Sequence, residues 1–398
     1  MKTSFKQLIL ATGVLALGLG SAWGQGQWFA NTNAVYAVSN LVADTSGTAP
    51  KTDPRLLNPW GILATPEGVW VALNHSGLVA GYGPNGTFTK FAIHVPTPDG
   101  GDGSPTGLIF NDSNQFVISN GSKHGAASSK HGAASFLVAT EDGTIAAWNH
   151  SFSGSNAVIV VDRSESGAIY KGLAMLRDTN GTPHIYAANF HDNAVEVFDG
   201  SFNLVNSFTD SSLPQGFAPF NIASIYGKLF VSFALQGEGA EDDQPGAGNG
   251  YIDVFDTDGT LLRQFASQGV LNSPWAMVVA PGSFGKFGGS LLVGNFGDGA
   301  INAFDLISGK SLGALSDKAG NIISIDGLWG LAFNRQASKG RWDFTSERLY
   351  FTAGPNGEDD GLLGYIKSAG KQVGGSGPGQ GGSGQGNQGG QGDQGGRH

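Results

Sequence analysis

Leu328-Trp329-Gly330-Leu331 has five earlier counterparts in the chain: Pro59-Trp60-Gly61-Ile62, Pro105-Thr106-Gly107-Leu108, Lys171-Gly172-Leu173-Ala174, Pro219-Phe220-Asn221-Ile222 and Pro274-Trp275-Ala276-Met277. Each opens an apolar run. Neighbouring openings stand roughly 50 residues apart, the period of a four-stranded propeller blade. A second apolar run follows each one: Val69 to Leu73, Phe116 to Ser119, His184 to Ala188, Lys228 to Phe233, Ser290 to Val293 and Arg348 to Thr352. Third runs end in an aromatic residue and Asp or Asn, as in Ala147-Trp148-Asn149, Val197-Phe198-Asp199, Val254-Phe255-Asp256 and Ala303-Phe304-Asp305. The acid or amide begins the next hairpin, where its side chain can bond the turn backbone. The pattern predicts an all-β fold, a six-bladed β-propeller.

The sixth unit supplies only three runs, Leu328 to Phe333, Arg348 to Thr352 and Leu362 to Ile366, while Ala34 to Val42 precedes the first opening without a partner. The economical solution makes this N-terminal strand the outer strand of the last blade. That closure joins the two ends of the ring and removes edges that would otherwise invite aggregation.

Composition agrees. The chain has 65 Gly and only 14% charged residues, which suits many tight turns, and no run resembles a long amphipathic helix. The N-terminus reads as a signal peptide over residues 1–24. Lys2 and Lys6 form its positive end, Leu8 to Leu19 its apolar stretch, and Ala22 and Gly24 the small residues before the cut. The apolar stretch is short for a bilayer span, so no transmembrane anchor is expected after cleavage. Without Cys there is neither a lipid-anchor site nor a disulfide, even in an oxidising compartment. The propeller is expected over residues 25–370. Residues 371–398, rich in Gly, Gln and Ser, cannot bury enough apolar surface to fold and are expected to be a disordered tail. The protein is expected to be secreted or periplasmic, and a monomer.

The net charge is −10, and two units more negative once Lys2 and Lys6 are removed. Without a basic patch, nucleic acid is a poor partner, and weak attraction for cations is the more natural inference. In a propeller, the turn into the first strand of a blade and the turn out of the second lie on one face, around the central channel. The first kind supplies Asn58, Asp102, Lys171, Asn221, Asn272 and Asp326. The second supplies Asn74, His75, Asn120, Asn189, His191, Asp192, Asn295, Asp298 and Asn356. Two longer turns, Glu238 to Asp243 and Glu358 to Asp360, are acidic and break the repeat, as does Asp326. Oxygen-rich rings of this kind suit Ca²⁺, with Asn221, Asn272 and Asp326 as candidate metal ligands. Asn and Asp are also ordinary turn residues, and structural use of most of them is the competing reading.

Asn58, Trp60, Asn221, Trp275, Asp326 and Trp329 are the candidate ligand-binding residues. The tryptophans either line the channel and stack on a ligand or pack between blades. In blade two the segment Ser122 to Ser128 is repeated at once as Ser129 to Ser135, so that His124 and His131 could form a metal clip, although a flexible surface loop is the simpler reading. No Gly-x-Ser-x-Gly or His-Glu-x-x-His motif is present. Gly81, Gly83 and Gly86 span a strand and an Asn-Gly turn rather than opening a helix.

Four segments carry a family resemblance: Gly294-Asn295-Phe296-Gly297-Asp298-Gly299 running on to Asp305, Ile325-Asp326-Gly327 running on to Phe333, Thr140-Glu141-Asp142-Gly143-Thr144-Ile145, and Leu349-Tyr350-Phe351-Thr352-Ala353-Gly354. Over roughly residues 33 to 367 the chain resembles an uncharacterised family of exported bacterial propellers, similar to NHL-repeat and TolB-like six-bladed propellers. Some members end in a PEP-CTERM sorting tail, whose place is taken here by the Gly/Gln tail. The resemblance implies fold and export and brings no catalytic residues. The expected function is therefore that of an exported binding or scaffold protein for a protein, glycan or small-molecule ligand. The alternative is a Ca²⁺-dependent, lactonase-like hydrolase working at the channel mouth.

Overall fold

The computed structural model describes residues 35–119, 130–338 and 341–369. The predicted signal peptide, the tail and His124 lie outside these residues. Within them the chain forms six antiparallel sheets, each a blade whose first strand lies innermost. Blade I comprises Pro59–Thr65, Gly68–Leu73, Leu78–Tyr82 and Phe88–His94. Blade III comprises Tyr170–Arg177, Pro183–Asn189, Ala194–Phe198 and Leu204–Phe208. Blade IV comprises Phe217–Ile225, Lys228–Leu235, Gly250–Phe255 and Leu261–Ser267, and blade V Pro274–Val279, Leu291–Asn295, Ile301–Phe304 and Ser311–Ala314.

Blade VI is completed as the sequence predicts. Leu328–Ser338, Arg341–Ala353 and Leu362–Ser368 supply three strands, and Tyr36–Ala43 pairs antiparallel with the last of them, from Tyr36 opposite Ser368 to Ala43 opposite Leu362. The short strand Lys51–Thr52 runs parallel outside it.

Blade II corrects the sequence reading. Its four strands are Pro105–Phe110, Phe136–Thr140, Thr144–Trp148 and Val158–Asp162. The apolar run at Phe116 to Ser119, read as the second strand, instead contributes Val117–Ser119 to a small separate hairpin with His131–Ala133. Phe116 turns the chain there with φ 57° and buries its ring completely. A short apolar run bounded by turns fits either role, and the continuous burial of Phe136–Thr140 decides between them.

Side chains from facing sheets fill the seams between blades. Between III and IV, for example, Tyr186, Val195 and Val197 meet Phe217, Val231, Phe233, Tyr251 and Phe255. Around the axis the innermost strands crowd one another, which explains the glycine that follows several openings. A Cβ on Gly107 would stand 2.5 Å from the Leu173 amide nitrogen of blade III, and one on Gly330 would stand 2.5 Å from the Trp60 carbonyl of blade I. Gly330→Ala is therefore expected to force the two strands apart and to cost about 1–3 kcal/mol, the usual range for overpacking. Urea denaturation should show the midpoint falling without loss of the all-β circular-dichroism spectrum.

Candidate functional site

One position, at the head of each innermost strand, points at the axis. It carries Trp60, Thr106, Lys171, Phe220, Trp275 and Trp329 in blades I to VI, and all six are buried. The aromatic members close the channel on themselves. Trp60 stacks on Trp329 with centroids 3.5 Å apart, and Trp275 stands edge-on to both, at 6.0 and 5.7 Å. Phe296, from the turn after the second strand of blade V, stacks on the other face of Trp329 at 4.0 Å. Two of the three indoles donate to other blades, Trp275 Nε1 across the ring to the Lys171 carbonyl and Trp329 Nε1 to Asn58 Oδ1 of the neighbouring blade. Trp60 Nε1 is buried without a partner. The tryptophans named from the sequence thus spend their faces on each other and form the floor of the mouth.

Lys171 is the one charged member of this ring, and its side chain is 1% exposed. Its ammonium lies 5.2 Å from the Trp60 ring centroid and 6.0 Å from that of Phe190. It donates to Glu141 Oε1 at 2.5 Å and to Asp242 Oδ1 at 3.0 Å. Burial alone would lower its pKa, but the two carboxylates outweigh burial and hold it raised.

From Lys171 a chain of polar contacts runs round the mouth. Glu141 Oε2 accepts from Asn74 Nδ2 at 2.7 Å. Asn58 Nδ2 lies 3.5 Å from Asn74 Oδ1, 3.3 Å from His75 Nε2 and 2.6 Å from Glu358 Oε2. Glu358, Asn58, Asn74, Glu141, Lys171 and Asp242 therefore link blades VI, I, II, III and IV. Asn58 and Glu358 both hold left-handed backbone conformations, φ 41° and 72°, which cost free energy outside glycine and cluster at functional sites. Burial pushes the Glu358 carboxyl up to about 7, with the Glu141 and Asp242 charges adding to it and the Asn58 bond opposing.

The second acidic turn reaches over the floor from blade IV. Gln236 Nε2 donates to the Phe190 carbonyl of blade III at 2.6 Å, and the Gly246 amide donates to Asn272 Oδ1 at 2.7 Å on the way into blade V. Between these anchors sits Asp242, whose side chain is 84% exposed, beside Asp243, whose Oδ2 is buried. Burial pushes the Asp243 carboxyl up as well, against a hydrogen bond with Ser273 and the Lys171 charge.

The residues expected as metal ligands each have other partners. Asn221 donates to the Trp275 carbonyl at 2.8 Å and accepts from the Ile222 amide, so it ties blade IV to blade V. Asn272 accepts from Gly246, and Asp326, exposed on the surface, accepts from the Asn356 amide at 3.0 Å. Among the described residues no group of three or more His, Asp or Glu side chains is arranged to hold a metal ion. Sequence reasoning placed Asn58, Asn74 and both acidic turns at the mouth but did not place Glu141 there. The sequence pattern puts the turn after the second strand of blade II at Asn120, which lies outside the described residues; the structure puts that turn after Thr140 and so brings Glu141 to the mouth. The sequence pattern names Lys171 as a residue of the turn into blade III and sets Gly172 against the tryptophans, one residue out of register; the strand opens at Tyr170, which puts Lys171 at the place held elsewhere by Trp, Phe or Thr.

The fold and mouth define a six-bladed propeller with an aromatic floor and an acidic, cation-containing rim. No family model matches the chain. It is 34% identical over 342 residues to the uncharacterised protein R648 of Acanthamoeba polyphaga mimivirus, covering 83% of this chain and 80% of that one. It is 32% identical over 346 residues to the uncharacterised protein L690 of the same virus, covering 84% and 86%. The chain belongs to the family these proteins represent. Among solved structures it is similar to a glucose dehydrogenase, with a TM-score of 0.50, 12% identity, and coverage of 84% of this chain and 100% of that one, a likeness of fold alone. No helix among the described residues is long and apolar enough to cross a membrane.

Proposed function

We propose that the protein is an exported binding protein that takes a small organic cation, a hydrogen-bond donor such as an amine, at the channel mouth. The observation that carries this reading is the surplus of acceptors there. Lys171 has its charge matched by Glu141 and Asp242, while Asp243, which faces Ser273 and Lys171, and Glu358, which accepts from Asn58, add two further carboxyls beside them. A ligand bringing positive charge and N–H groups satisfies what the protein leaves open. Export is supported by the pattern of residues 1–24.

The test is calorimetric titration with spermidine, with Ca²⁺ and glucose as parallel probes. Saturable binding of spermidine is expected, weakened roughly fivefold to tenfold by Asp242→Asn or Glu358→Gln. Binding should strengthen as pH rises through about 7, because Glu358 then ionises and attracts the cation. Binding of glucose or Ca²⁺ with no response to spermidine would refute the amine reading.

A further inference from the structure

We propose that Asp210 and Asp253 share a single proton across the seam between blades III and IV, and that this proton holds the seam closed at and below neutral pH. The argument starts from the repeat. Two residues before the aromatic that ends the third strand, blade III carries Glu196, blade IV Asp253 and blade V Asn302, all buried. Each meets the connection that arrives from the preceding blade. Glu196 meets Arg163 at 3.3 Å and also accepts from the Tyr170 hydroxyl and from Asn189. Asn302 donates to the Val270 carbonyl at 3.3 Å. Asp253 instead meets Asp210, so the place that holds a guanidinium in blade III holds a second carboxyl in blade IV.

Asp253 is fully buried, and neither of its oxygens has a donor; Asp210 Oδ2 has none either, while its Oδ1 accepts from the Ser212 amide at 2.8 Å. Two facing carboxylates cannot both stay ionised out of water, and one proton turns their repulsion into an O–H···O bond.

The groups packed around the pair supply no other neutralising charge. On its own sheet Asp253 stands opposite Val231 and Gln264, with Tyr251 and Phe255 flanking it along the strand. Lys228, on the second strand, is paired with Asp256 at 3.3 Å, and Arg263, on the fourth, is bonded to the Leu306 and Ile307 carbonyls of blade V. On blade III the seam presents Tyr186, whose hydroxyl donates to the Thr257 carbonyl, while Glu196 is held by Arg163. Burial, with Asp210 second, pushes the Asp253 carboxyl up to about 8.

The sign follows from linkage. Between the unfolded carboxyl value near 4 and the folded value of about 8, the native state holds a proton that the unfolded chain has released. Stability therefore falls as pH rises through that window, by up to about tenfold in the folding constant per pH unit, and stops falling above it.

Thermal melts of the intact protein from pH 5 to pH 9, in EDTA and in Ca²⁺, test this. The wild type should lose melting temperature toward pH 9 by the same amount in both buffers. Asp253→Asn should match it near pH 5 and exceed it at pH 9. A variant that keeps the wild-type slope, or melts below wild type at pH 9, overturns the proposal. So does Ca²⁺-dependent stabilisation that Asp253→Asn abolishes, which would make the pair a metal site. Carboxyl ¹³C NMR on the wild type needs no variant: one Asp should titrate near pH 8, and the absence of any Asp titrating above pH 6 would equally overturn it.

Discussion

A chain lacking residues 1–43 is expected to lose its folded monomeric state at 25 °C, whereas one beginning at residue 35 should keep it. The strand Tyr36–Ala43 completes a sheet whose other strands come from the opposite end of the chain, and so closes the ring. Tyr36, Val42 and Ala43 are each no more than 2% exposed. The Tyr36 ring lies 5.0 Å from Phe284 and 6.0 Å from Phe287, its hydroxyl donates to the Phe284 carbonyl, and it accepts from the Phe287 amide. The closing strand therefore also ties blade VI to blade V. Losing this burial costs about 5 kcal/mol, comparable with the whole stability of many domains. The cut would also open the edge of Leu362–Ser368, and an open apolar edge recruits other chains. Size-exclusion chromatography with light scattering, beside circular dichroism, should show aggregated or unfolded protein for the short form. A monomer with the melting curve of the longer form would disprove the role given to this strand.

That closure was legible because the sequence held one strand too few at its end and one too many at its start. The blades were legible for a related reason: a ring of near-identical units repeats its packing rules, so a glycine that lets neighbouring strands meet, as at Gly107 and Gly330, recurs at a readable interval. What the repeat hides is a departure from it. The hairpin of Val117–Ser119 and His131–Ala133 carries strand-like residues, and periodicity alone could not show that Phe136–Thr140 is the buried member of the blade. The error moved the turn after that strand by about twenty residues and took Glu141 out of the mouth. The site was harder to read than the fold because its contacts join blades far apart in sequence. Asn58 and Glu358 are 300 residues apart, and Lys171 and Asp242 are 71. The turn residues that met the axis could be named, but not which of them would touch.

Lys171→Met is expected to destabilise the protein by about 2–4 kcal/mol, and Glu141→Gln in the same chain should restore part of that loss. Methionine fits the aromatic surroundings of the lysine stem, so the cost is chiefly electrostatic. Removing one member of a buried pair leaves the other charge unmatched, which typically costs about 3–5 kcal/mol. The lower figure applies here because the two stranded carboxylates can reach water: Glu141 is 25% exposed and Asp242 is 84% exposed. Asp242 should therefore matter little to stability, as exposed partners generally do, and Asp242→Asn should change the melt far less than Lys171→Met. Glu141 keeps its bond from Asn74 in the single variant but loses the cation facing its other oxygen, and the amide of Glu141→Gln removes the unpaired charge. Urea melts of the wild type, both single variants and the double variant give the coupling energy directly. A value above 1 kcal/mol is expected, and additive losses would mean that the lysine acts through packing against Trp60 and Phe190 instead. The pH dependence has a definite sign as well. A lysine whose folded pKa is raised contributes stability fully at neutral pH and loses it only as pH climbs beyond the unfolded value near 10.4. On the alkaline side the difference between wild type and Lys171→Met should therefore persist past neutral pH and shrink only in strong alkali, above the window of the carboxyl pair between blades III and IV.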